Sequence, residues 1–170
     1  MTRVRLCYHD RCFDGTASAA LFYRFYRECF ETAAEFGFTG MTHRAKQPWE
    51  EGLFDGDENA IVDFKYSNSS KVTWWFDHHQ SAFLTPADAL QFREHPGRHM
   101  YYDPTYKSCT KFIATVANEK FGFDISPLAD QECAGALMWV WVTFAYLGPA
   151  AFVTVQLLSP QRRAFDVEVV

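Results

Sequence analysis

The sequence predicts an α/β fold, a mostly parallel sheet with helices on both faces. Three observations carry that expectation. Short apolar strands alternate with longer segments of helical spacing. Three of those strands run into acidic residues, as buried strands do where they meet a loop. A chain of 170 residues that is 48% apolar and 18% aromatic, with 17 phenylalanines, has enough apolar surface for one compact domain with a single large core.

The first strand is VRLCYHD, which alternates, turns apolar and ends in polar residues. An acidic glycine turn at Asp14-Gly15 follows, and Ala17, Ala19, Ala20, Leu21 and the aromatics behind them predict a helix from Ala17 to Phe30. Phe38 to His43 reads as a second strand, followed by a loop with Pro48 and the acidic stretch EEGLFDGDEN. Ala60 to Phe64 is a short strand carrying Asp63 at its end, and KVTWWFDHH repeats the arrangement with Asp77. TPADALQFREH is a helix with Thr85 as its cap and Pro86 in its first turn. RHMYYD is a further strand, and KSCTKFIATVANEKFGF a helix closed near Gly122. In a parallel sheet this places Asp14, Asp63, Asp77 and His78 along one edge, at the carboxyl ends of strands, where open α/β sheets build their sites.

Composition narrows the function. Sixteen Lys and Arg against 21 Asp and Glu, a net charge of −5, argue against a broad grip on duplex DNA and are compatible with a small phosphorylated substrate held by metal. Five cysteines without paired spacing fit a reduced, cytoplasmic protein, with Cys7 and Cys29 as core residues. The amino terminus has no apolar run of signal-peptide length. Cys133 to Val155 carries no charge over 23 positions, which meets the length of a membrane-spanning helix. Gly148-Pro149 interrupts it, and the β-branched Phe152 to Leu157 reads as a strand. The expectation is a buried helix plus a strand, with membrane association through residues 133–158 as the alternative.

One acid at a strand end is ordinarily a turn former or helix cap. Three successive ones, the last followed by His78 and His79, point to a metal centre. Carboxylate and imidazole donors suit Mn²⁺, Mg²⁺ or another divalent ion, whereas structural zinc usually recruits thiolates. Two such ions, about 3.5–4 Å apart, need a shared carboxylate to offset their repulsion, and water between them becomes a hydroxide nucleophile suited to phosphate esters.

YHDRCFDGTASAAL, IVDF and WWFDHHQ, with the later YYDPTYKSCTKFI, together resemble the DHH phosphoesterase superfamily over about residues 3 to 124. That superfamily includes exonucleases, nano-RNA and cyclic dinucleotide phosphodiesterases, exopolyphosphatases and family II inorganic pyrophosphatases. The resemblance implies a DHH-type, Rossmann-like domain over residues 1–124. It makes Asp14 and His78 ligands of one ion and Asp63 the bridging ligand. His79 would be the catalytic residue that meets the substrate phosphate, and Asp77 would orient its neighbours or ligate. Gly15 would let the helix start approach a phosphate. The chain departs from the pattern in two places. Cys12 stands where many members have aspartate, so the first-ion ligands are drawn from His9, Asp10 and Cys12; His9 and Asp10 are favoured, and a thiolate at Cys12 would favour softer ions. The fourth acidic motif and the usual C-terminal substrate-binding domain are not found. Only Asp130 and Glu132 precede the apolar run, and residues 125–170 form an atypical hydrophobic segment rather than an independent domain.

Other residues keep two readings. Trp74 and Trp75 stack on a base or pack in the core. Lys107, Ser108 and Thr110 hold substrate phosphate at a helix start or cap that helix. His43 and Arg44 face the cleft, His95 and His99 sit in solvated loops, and Arg162 and Arg163 flank a membrane segment or belong to a polar tail. The expected protein is a cytoplasmic phosphoesterase using one or two Mn²⁺ ions on a small phosphodiester, phosphomonoester or phosphoanhydride. The substrate would be a nucleotide or short single-stranded oligonucleotide, and a homodimer is left open. The alternative is a non-catalytic metal- or nucleotide-binding remnant.

Overall fold

A computed structural model describes residues 1–42, 49–94 and 99–158, with backbone alone for residues 127–139 and 141. The chain divides into two units, Met1–Asp124 and Ile125–Val170.

The first unit is α/β. Strands β1 (Arg3–His9), β2 (Glu35–Met41), β3 (Glu58–Val62), β4 (Trp74–Asp77) and β5 (His99–Tyr102) form one sheet in the order β2-β1-β3-β4-β5. Every pairing is parallel, so the expected mostly parallel sheet is wholly parallel. From β1 the chain moves to one side for β2 and to the other for β3. The reversal leaves a crevice at the carboxyl ends of β1 and β3, the switch point where open α/β sheets bind ligands.

Register assigns the aromatics to faces. Leu6, Ala60 and Trp74 lie side by side in one row, as do Val62 and Phe76, and all point to one face. There α1 (Phe13–Cys29) lays Phe22 against Trp74 and Phe76, with ring centroids 5.6 and 6.1 Å apart, and Phe25 against Trp74 at 5.8 Å. Helix α3 (Cys109–Phe121) adds Phe112 on Phe76 and Phe121 on Trp74. Each ring that passes fully out of water contributes about 1.5–3 kcal/mol. The opposite face carries Cys7, Ile61 and Trp75, covered by Phe54, Phe64, Tyr66 and Val72, with Phe92 of α2 (Pro86–Glu94) packed against them. Helices therefore contact both faces. Trp74 and Trp75 are both core residues.

Several boundaries differ from the sequence expectation for local reasons. Helix α1 begins at Phe13 instead of Ala17, because the Cys12 thiol accepts from the Gly15 amide and caps it. Gly15 therefore lies inside the first helical turn; a Cβ there would stand 2.1 Å from the His9 carbonyl oxygen. Strand β2 starts three residues early, and His43 lies outside the described residues, as do Arg44, His95, Arg162 and Arg163. His99 is not a solvated loop residue: it opens β5 and stacks on Trp74 with centroids 3.8 Å apart. Cys29 is only part-buried. Gly122 closes α3 in the left-handed conformation, φ 70°, as its glycine predicts.

The second unit contains α4 (Ser126–Leu158), a continuous helix with Pro149 inside it. The expected strand at Phe152 to Leu157 is helical. A lone strand leaves its backbone N–H and C=O groups unpaired, and among the described residues this unit offers none to pair with. A helix satisfies those groups internally and tolerates the proline, at about 3 kcal/mol. Nor are the described side chains buried: Phe144, Tyr146, Leu147, Phe152, Leu157 and Leu158 are all exposed. Among the described residues, no helix is long and apolar enough to cross a membrane.

The Trp75 indole N–H donates to the Phe64 carbonyl at 2.9 Å, entirely buried. Trp75→Phe keeps most of the apolar volume and strands that carbonyl, so unfolding in urea should show a loss of about 1–3 kcal/mol. An unchanged midpoint would mean that the hydrogen bond contributes nothing.

Candidate metal centre

The site gathers at the switch point. The carboxyl end of β1 brings His9 and, just beyond it, Cys12 and Asp14. The end of β3 brings Asp63, and the end of β4 brings Asp77, His78 and His79. Asp63 leaves its strand with φ 54°, the one described non-glycine residue in the left-handed region. Such a conformation is uncommon for aspartate and is held here by its surroundings. The Asp63 amide donates to the Phe76 carbonyl at 2.9 Å, and the next carbonyl takes the Trp75 indole. The turned backbone aims the carboxylate inward, where it is 1% exposed.

Its two oxygens face different partners. Oδ2 accepts from the Cys12 thiol at 3.3 Å and lies 3.8 Å from Nδ1 of His9. Oδ1 lies 3.4 Å from Nε2 of His78 and 3.8 Å from Nδ1 of His79, and accepts no hydrogen bond among the described residues. Two donor sets result, His9–Cys12–Asp63 and Asp63–His78–His79, each with ligand atoms within 4.8 Å of one another. Asp63 belongs to both.

The histidines are oriented by hydrogen bonds on the far side of their rings. His78 Nδ1 lies 2.9 Å from the Tyr106 carbonyl oxygen, which can only accept. That puts the proton on Nδ1 and turns the Nε2 lone pair toward Asp63 and Asp14, as metal-binding histidines are usually held. His79 Nδ1 lies 2.7 Å from Asp77 Oδ1, which also accepts from the His78 and His79 amides. Asp77 is fully buried and acts through its neighbours, fixing the turn and the His79 ring; its Oδ2 accepts nothing among the described residues. The hydrogen bond to Asp77 raises the His79 pKa against the opposing effect of burial. Burial, then the nearby Asp14 charge, raises that of Asp63. A carboxylate held out of water beside other acids, with an oxygen lacking a donor, is the environment that a cation relieves. The nitrogen, oxygen and sulfur donors present therefore fit a divalent ion.

Asp14 has a second attachment. Its carboxylate accepts from the Cys109 amide at 2.7 Å, the Thr110 amide at 3.0 Å, and the Ser108 and Thr110 hydroxyls at 2.8 and 2.7 Å. Asp14 is thus the anion seated on the amino terminus of α3, while its Oδ2 stays 3.5 Å from Nε2 of His78. Burial pushes its pKa up, but the Thr110, Cys109 and Ser108 hydrogen bonds outweigh it and hold the carboxyl below its ordinary value. Ser108 is the α3 cap, and it and Thr110 direct their hydroxyls to Asp14; Lys107 is exposed just before the cap. Asp10 joins neither donor set: it is exposed and accepts from the Thr42 hydroxyl. Burial, ahead of other effects, raises the Cys12 thiol pKa.

Two participants escaped sequence reasoning. The Tyr106 carbonyl and the Cys109 amide are backbone groups with no residue signature. Comparison with family models, curated proteins and solved structures gave no match.

Asp14 also sets an acid sensitivity. Because its folded pKa lies below the unfolded one, its stabilisation is complete above the ordinary carboxylate range and disappears as pH falls through the folded value. With metal chelated, Asp14→Asn should destabilise by about 1–3 kcal/mol at neutral pH. The gap between variant and parent in urea melts should close in acid. A gap independent of pH would remove the charge from the explanation.

Proposed function

We propose that the chain is a divalent-metal-dependent phosphoesterase of the DHH kind, acting on a small phosphodiester, phosphomonoester or phosphoanhydride. The observation that carries this reading is that two donor sets share one buried carboxylate, Asp63, at the switch point. Two cations held around a common carboxylate suit phosphoryl transfer, because phosphate oxygens can span them. Bound Mn²⁺, or Mg²⁺ in its place, would neutralise phosphoryl charge and lower the pKa of an attacking water. Asp63 keeps the two positions together, and His78 offers Nε2 with its tautomer set by Tyr106. Asp77 holds a proton at Nδ1 of His79 and so fixes the ring that would meet a phosphoryl oxygen. A reduced, cytoplasmic setting agrees with the free thiols of Cys7, Cys12, Cys29 and Cys109.

Release of phosphate or mononucleotide in the presence of Mn²⁺ should fall by at least about 10³-fold in Asp63→Asn, since the shared ligand is lost. Calorimetry should show fewer bound Mn²⁺ ions in that variant. Full turnover by Asp63→Asn would sink the mechanism. A second reading, a binding remnant without turnover, is favoured by the attachment of Asp14 to α3. It predicts Mn²⁺ binding by the parent chain with no hydrolysis of any phosphate ester.

A nucleotide substrate is supported by Phe13, whose side chain stands 90% exposed between Cys12 and Asp14. A ring presented at the rim of a phosphate site offers a stacking surface worth about 1–3 kcal/mol per base. Phe13→Ala should raise KM for a dinucleotide by about 5- to 150-fold on that basis and leave pyrophosphate hydrolysis unchanged. Equal effects on both would remove the base from the account.

A further inference from the structure

The two donor sets differ in chemistry. Asp63–His78–His79 offers oxygen and imidazole, whereas His9–Cys12–Asp63 adds sulfur. We propose that the centre is heterometallic: His9, Cys12 and Asp63 form a zinc position, and Asp63 with His78 forms the position for Mn²⁺. The inference rests on the metal-centre reading above and adds the identity of each ion.

Donor spacing supports it. Tetrahedral zinc with Zn–S about 2.3 Å and Zn–N or Zn–O about 2.0–2.2 Å separates its donors by about 3.3–3.6 Å. The Cys12 sulfur stands 3.3 Å from Asp63 Oδ2, at the near end of that range, and His9 Nδ1 stands 3.8 Å from the same oxygen, slightly beyond it. Three protein donors leave one position open, the pattern of catalytic zinc sites. The buried Asp63 carboxylate points one oxygen into this set and leaves the other without a donor, so the thiol does not stand as a lone feature. A capping role alone explains Cys12 poorly, because serine and aspartate cap helices well and a thiol accepts hydrogen bonds weakly. Thiolate draws zinc, whereas carboxylate and carbonyl oxygens suit Mn²⁺ and Mg²⁺. On binding, the Cys12 S–H bond breaks, the sulfur–metal bond forms, and the proton passes to solvent.

Co²⁺ is the spectroscopic probe for the zinc position. The full chain titrated with Co²⁺ should develop a near-ultraviolet sulfur-to-cobalt charge-transfer band. That band should be absent in Cys12→Ser and Cys12→Asp. Both substitutes are strong N-cap residues, so α1 should persist, which circular dichroism checks. In competition, the parent chain should keep one Zn²⁺ against excess Mn²⁺. In Cys12→Ser Zn²⁺ affinity should fall by more than the about 10–100-fold that loss of an outer partner costs. Mn²⁺ binding, followed by electron paramagnetic resonance, should survive in both variants. No charge-transfer band in the parent, with Mn²⁺ still bound, overturns the zinc assignment and leaves the phosphoesterase reading standing. Failure of both ions to bind overturns the two together, and Zn²⁺ affinity unchanged in Cys12→Ser overturns the role of the thiol.

Discussion

The backbone turn at Asp63 is the constraint on which the site depends. A parallel strand would carry its next side chain onto a sheet face, into the aromatic core. The left-handed φ of 54° instead turns the carboxylate into the crevice between β1 and β3. Strain of this kind, of order 1–3 kcal/mol, persists only where neighbours over-determine it. Here the Phe76 carbonyl accepts from the Asp63 amide and the Phe64 carbonyl accepts from the Trp75 indole N–H. The tryptophan strand thus has two functions at once, since it fills the core and clamps the residue that both donor sets share.

From that clamp outward, the site is a chain of orientation. Asp77, buried beneath the turn after β4, holds the amides of His78 and His79 and the His79 ring. Tyr106, in the loop before α3, sets the His78 tautomer. The α3 terminus draws in Asp14, which ties the first turn of α1 to the last helix of the unit. Helices α1 and α3 share the Phe22–Trp74–Phe76 face of the sheet, so the packing that stabilises the fold also brings these termini together. Core and site are therefore coupled through the same strands.

Helix α4 follows different rules. Its described side chains from Val140 to Leu158 are mostly apolar and exposed, and it has no acidic residue in its first turn and no basic residue in its last. Backbone satisfaction explains why it is helical, and it explains why Pro149 interrupts a sequence pattern without ending the helix.

Within residues 1–124 the α/β class, the order of strands and helices and the acids at strand ends were legible in the sequence, because periodicity and turn residues are local signals, whereas Phe152 to Leu157 reads as a strand and is helical. So were His78 and His79, since adjacent histidines behind a buried apolar strand have few structural uses. Cys12 and Asp10 could not be ranked from sequence, because two residues in one loop differ only in where the loop aims them. The structure turns Cys12 onto Asp63 and Asp10 toward Thr42. The seating of Asp14 on α3 joins residues 94 to 96 positions apart, and no local pattern encodes such a contact. Sequence determined which chemistry-bearing residues lie at strand ends. Only the tertiary structure, by inserting β1 between β2 and β3 and turning the backbone at Asp63, decided which of them meet, because strand order and a single positive φ arise from packing rather than from residue pattern.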